Sequence, residues 1–140
     1  MSEVDAQDLV EQARKVRNSA YAPYSRFKVG AAVVGGSGAV YVGVNVENAC
    51  YPAGICAERS AVSNAVTAGE TSIIACAVVT EGEEPSAPCG VCRQVLAEFG
   101  QEMEIHIAGV VPSKGIRTLD LKALLPEQFD SRALVDGRTG

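Results

Sequence analysis

Apolar side chains recur at Ala6, Leu9, Val10, Ala13, Val16 and Ala20 within residues 4 to 20, the three-to-four spacing of an amphipathic helix. "YAPYSRF" breaks that pattern, with Pro23 biasing Ala22 away from helix. "FKVGAAVVGGSGAVYVGVNVEN" then reads as two apolar strands around a Gly-rich turn at Gly35 to Gly38, a hairpin. The loop "ACYPAGI" leads into a helix over about 56 to 69, closed by Gly69. "SIIACAVVT" reads as a buried strand and "EGEEPSAP" as a polar loop. A helix over about 89 to 99 stops at Gly100, and "MEIHIAGV" reads as another strand. "TLDLKALLPEQF" predicts a last short helix broken by Pro126, before a loose polar tail at about 130 to 140. The order α-β-β-α-β-α-β-α predicts an α/β fold: a single mixed sheet with helices on both faces, one domain spanning residues 1 to 140.

Composition narrows the functional classes. Apolar residues are 47% of the 140, in short runs divided by Gly, Pro and charge, as in a globular chain. No run approaches the ~20 apolar residues that span a bilayer. The opening "MSEVDAQDLVEQ" is acidic and polar rather than signal-like, so a cytoplasmic protein is expected. Twelve basic residues against seventeen acidic ones give a net charge of −5. No basic stripe is visible, which argues against a nucleic-acid partner.

Five cysteines is an odd count, and a reducing compartment argues against disulfides. Cys76, inside an apolar run, reads as a small buried hydrophobe. His106, the single histidine, lies between Ile105 and Ile107 and is expected on the opposite strand face, not as a metal ligand. Cys50, Cys56, Cys89 and Cys92 sit instead among Gly, Pro and helix-start residues.

Zinc prefers thiolate and imidazole ligands, and a catalytic site keeps one position open. In "PCGVC" two thiols at a helix entrance have the spacing to share one metal. Backbone N–H groups there favour thiolate over thiol. Alone, that motif fits a redox pair, a structural zinc site or chance. "CAE" at residues 56 to 58 sharpens it. Residues two apart on a helix diverge by about 200°, so Cys56 and Glu58 converge only at the first turn, where Glu58 can fold back past the helix end. A carboxylate beside a metal without binding it can move protons. Cys50, six residues before Cys56, leaves a four-thiolate structural site arithmetically available.

Cys56-Ala57-Glu58 followed by Pro88-Cys89-Gly90-Val91-Cys92 has the form of a zinc deaminase signature. From about Ala6 to Phe129, through "FKVGAAV", "NVENACYPAGICAERSA" and "PCGVCRQVLAEFG", the chain resembles the small homotetrameric, three-cysteine type of cytidine deaminase. The resemblance implies that family's three-layer fold, with zinc held by Cys56, Cys89 and Cys92, water in the fourth position, and Glu58 as proton shuttle. It implies hydrolytic deamination of cytidine and 2′-deoxycytidine, releasing ammonia, as a step of pyrimidine salvage. Zinc with three thiolates sums to −1, which makes bound water less acidic. Two helix N-termini would offset part of this, and the resemblance gives Arg59 as the cation beside the thiolates.

Asn45 and Glu47 alternate near a strand end and so face one side. In the family this pair binds the ribose 3′-hydroxyl. An amide and a carboxylate suit a free hydroxyl, and the carboxylate would repel a nearby phosphate, favouring a nucleoside over a nucleotide. Phe27 resembles the family's aromatic wall against the pyrimidine. The Ala57 N–H and carbonyls near Pro88 are expected to read the base edge. Asn48, Ala49, Cys50 and Tyr51 resemble a loop that completes a neighbouring subunit's pocket, and Phe129 an aromatic that reaches across an interface.

Overall fold

The structure, a computed structural model, describes residues 5–82, 85–131 and 134. The periodic opening segment forms α1 (Ala6–Val16), with the Asp5 side chain accepting from the Gln7 N–H as N-cap. Its buried residues are Leu9, Val10 and Ala13, the expected stripe. A 3-10 turn at Arg17–Ser19 follows. The predicted hairpin is present as β1 (Gly30–Gly35) and β2 (Val40–Val44), antiparallel, with Ala32 opposite Val42.

The next elements are α2 (Ala57–Thr67), β3 (Ile73–Val79), α3 (Gly90–Phe99) and β4 (Glu104–Ala108). Gly69, at φ 105, takes the left-handed conformation that ends α2. The "TLDLKALLPEQF" segment departs from its expected single helix. It contributes first β5 (Arg117–Asp120) and then one turn of helix, α4 (Leu121–Leu124). The reason is local: Leu119 pairs opposite Ile105 on β4, and Asp120 then caps the short turn by accepting from the Lys122 N–H.

The five strands form one mixed sheet in the order β2-β1-β3-β4-β5. β3 and β4 are parallel, joined through α3, and the other pairings are antiparallel. Alternation along the strands sends side chains to two cores. Ala31, Val33, Val78, Ile105 and Ile107 pack beneath α2 and α3 with Ala61 and Leu96. Ala32, Val34, Ala77 and Val79 pack against Leu9, Val10 and Ala13 of α1. Helices therefore cover both faces, as expected, and strands buried on both sides read as unbroken apolar runs.

Gly43 brings α2 close to the sheet: a β-carbon there would meet the Ala61 N–H and Ser60. This contact seats the helix whose first residues carry the candidate chemistry. The expected tail at about 130 to 140 lies almost wholly outside the described residues. Among those residues no helix is long and apolar enough to cross a membrane.

Candidate active site

Cys56 and Cys89 are the N-cap residues of α2 and α3, both with extended backbone and neither side chain used to cap its helix. Each sulfur is thus free to turn away from its helix while the helix N–H groups stand behind it. Cys92 lies in the first turn of α3 and is buried. The sulfurs of Cys56, Cys89 and Cys92 all lie within 4.8 Å of one another. Cys50 is exposed and does not belong to this cluster.

The donor set suits a soft divalent cation. The Cys56 thiol is lowered to about 5, chiefly because the Cys92 S–H donates to it, with the Arg59 guanidinium adding a second favourable contact. Cys92 is correspondingly pushed up, first by that bond to Cys56 and then by burial. Three thiols this close cannot all ionise against their mutual repulsion, and a cation among them removes the obstacle. Three sulfurs at two helix starts therefore fit zinc.

Glu58 is 5% exposed at the second position of α2. Burial raises its pKa, and the charge on Cys56 adds to that shift. A carboxyl so placed exchanges protons nearer neutrality than an exposed one. Arg59 is half-buried, donates to the Gly54 carbonyl at 3.4 Å, and lies against the Cys56 and Cys92 sulfurs. Its Nε is buried without an oxygen or nitrogen partner.

Cys56, Glu58, Arg59 and Cys89 open onto a cavity of about 510 Å³, a volume suited to a small molecule. Phe27, Asn45, Glu47, Tyr51, Ala57 and Glu58 line it. Phe27 does not open β1 as expected. It precedes the ladder, in a segment whose backbone is held by side chains: Asn45 Nδ2 donates to the Phe27 carbonyl at 2.8 Å, and its Oδ1 accepts from Val29 N–H at 2.9 Å. Arg17 donates to the Lys28 carbonyl at 2.9 Å and pairs with Glu81 at 2.7 Å, bracing this wall from behind. Ala57, at the first position of α2, lines the cavity, and its N–H has no intrahelical acceptor. The Pro88 carbonyl is engaged by Arg93 Nε at 2.7 Å, and the same guanidinium donates to Leu124.

Some expected residues are not brought to this cavity. Asn48, with Tyr51, lines a neighbouring recess, and Ala49 and Cys50 are exposed on the rim loop. Phe129 stands 61% exposed beside α3, its carbonyl accepting from Gln94. His106 is buried on the sheet face opposite Ile105 and Ile107 and bonded to Thr118, and among the described residues it stands outside the sulfur cluster. The cavity also contains Ser25, Val78, Thr80 and Ser86, none singled out from sequence. Thr80 offered one signal, a hydroxyl closing an otherwise apolar strand, eight residues before the start of "PCGVC".

Residues 3–107 match the family described as the cytidine and deoxycytidylate deaminase zinc-binding region. The cytidine deaminase of Sporosarcina psychrophila is 41% identical over 133 residues, covering 94% of this chain and 96% of that protein. The crystal structure of cytidine deaminase from Burkholderia pseudomallei superposes with a TM-score of 0.84 at 43% identity, covering 90% of this chain and 100% of that one. That of Mycobacterium tuberculosis gives a TM-score of 0.78 at 40% identity, covering 91% and 98%. Sequence, fold and sulfur cluster agree: the chain belongs to the cytidine and deoxycytidylate deaminase family.

Proposed function

We propose that this protein catalyses the zinc-dependent hydrolytic deamination of cytidine and 2′-deoxycytidine to uridine and 2′-deoxyuridine, releasing ammonia in pyrimidine salvage. One observation carries the reading: the buried Glu58 carboxyl, which stands outside the three-sulfur cluster, lines one cavity of nucleoside size together with Cys56 and Cys89 of that cluster. Cys56, Cys89 and Cys92 would hold the zinc, and Glu58 is left free for protons. When bound, zinc supplies a Lewis acid that makes water acidic enough to react near neutral pH.

The protein's groups divide the remaining work. Glu58 takes a proton from the attacking water and passes it to N3 of the pyrimidine, then takes the second proton from the hydroxyl added at C4 and delivers it to the departing amine as the C4–N bond breaks. Its raised pKa suits both acceptance and return. Phe27 walls the base, and the free Ala57 N–H reads its edge. Asn45 and Glu47 bind the ribose 3′-hydroxyl. Arg59 offsets the charge of the thiolates, together with the two helix starts.

Free thiols at the cluster suit the reducing cytoplasm. The chain, as one domain over residues 1 to 140, assembles as a homotetramer in which Asn48, Ala49, Cys50 and Tyr51, and Phe129, complete neighbouring pockets. The exposure of Tyr51 (77%) and Phe129 (61%) supports that assembly. The direct test of the mechanism is Glu58→Gln, which should keep about one zinc per chain and lose nearly all turnover, followed as loss of the cytidine ultraviolet band. Substantial turnover in that variant would remove Glu58 from the chemistry.

A further inference from the structure

Glu47 is already engaged within the chain. Its Oε1 accepts from the backbone N–H of Tyr24 at 2.9 Å and of Ser25 at 3.1 Å, while Oε2 accepts from the Ser25 hydroxyl. Two bonds fill Oε1, so a further donor can be received only at Oε2, beside Ser25. The same Ser25 oxygen accepts from the Phe27 N–H at 3.0 Å. One hydroxyl thus joins the carboxylate to the backbone of the aromatic wall.

Between the two bonded residues sits Arg26, at φ 60. A non-glycine residue seldom adopts this left-handed conformation, and it persists where surrounding bonds over-determine it. Here those bonds are the three on Glu47, the Ser25–Phe27 link, and the Arg26 N–H donating to Ala22 at 2.9 Å. The turn delivers Phe27 to the cavity that Ser25 and Glu47 also line.

We propose that Ser25 is a positioning residue that sets sugar specificity. Its hydroxyl locks the Glu47 carboxylate with one acceptor site left for a 3′-hydroxyl, and fixes the left-handed turn that presents Phe27. The inference rests on the proposed role of Glu47 as acceptor for the sugar. It is consistent with the charge state of Glu47, whose carboxyl is held below its ordinary value first by the Ser25 hydroxyl and then by the Ser25 N–H. An ionised carboxylate can only accept, so the ligand must donate. A nucleoside with a free 3′-hydroxyl does so, and a 3′-phosphate or 3′-ether does not.

The test compares kcat/KM for cytidine and 3′-deoxycytidine. The wild-type protein should prefer cytidine, and equal rates there would remove the reading of Glu47 itself, separately from that of Ser25. Ser25→Ala should shrink the preference about tenfold, the size of one hydrogen bond to a charged group, mainly through a higher KM for cytidine and with zinc content unchanged. Ser25→Thr, which keeps the hydroxyl, should restore it. A preference unchanged in Ser25→Ala, whether both rates fall together or neither falls, overturns the proposal. Should the alanine variant fail to fold, Ser25→Cys keeps the volume with a weaker donor and carries the same comparison.

Discussion

Cys50 shows how much a few ångströms decide. It lies six residues before Cys56, but its side chain is exposed and stands apart from the three clustered sulfurs. A fourth thiolate would close the site to water and make it structural. Cys50→Ser should therefore retain the full zinc content, measured by atomic absorption after dialysis, whereas metal loss would mark Cys50 as a ligand. What the fold brings together at this scale was legible where spacing and helix starts spoke together: the grouping of Cys56, Cys89 and Cys92, with Glu58 at the start of the same helix as Cys56, could be named from the chain alone. Ser25, Thr80 and Ser86 could not. A loop serine has no periodicity to betray it, and Ser25 acquires its place only when Glu47, more than twenty residues onward, folds against it. Asn45 and Glu47 were visible as a polar pair, but their bonds to the backbone of residues 24 to 29 were not.

Among the elements, α1, the hairpin, α2, β3, α3 and β4 all follow from apolar spacing and from glycine or proline at their ends. β5 did not. In "TLDLKALL" the leucines satisfy both a helical stripe and a strand alternation, and the pairing partner on β4 breaks the tie. That pairing sets His106 opposite Thr118, with Nδ1 and Oγ1 at 2.9 Å. Burial lowers the His106 pKa from its ordinary 6.5, against a smaller upward pull from Glu104. Between the lowered value and 6.5 the unfolded chain binds more protons than the folded one. The associated stability is thus complete above 6.5 and is lost as pH falls through the folded-state value. Urea midpoints at about pH 7.5 and about pH 5.5 should show a larger acid loss in the wild-type protein than in His106→Gln. Equal losses would mean that the strand pair does not titrate.

Taken as a whole, the molecule uses one sheet to separate two tasks. The α1 face is packing, with Leu9, Val10 and Ala13 on alternate strand residues. The other face seats α2 and α3 so that both helix starts open into one cavity. Exposed Tyr21, Tyr24, Tyr51 and Phe129 remain outside either core. Burial of such aromatics against other copies is expected of the proposed tetramer, and light scattering should give the mass of four 14.5 kDa chains. A single-chain mass in an active preparation would contradict that assembly. No pattern in the sequence could set this quaternary arrangement, because exposed aromatics acquire meaning only once the cores are known. Zinc content and cytidine turnover measured on the same purified sample decide whether the three sulfurs hold the metal that the reaction needs. About one zinc per chain is expected, with turnover lost on chelation and both restored together when zinc is returned. Full turnover by a metal-free protein would contradict that dependence.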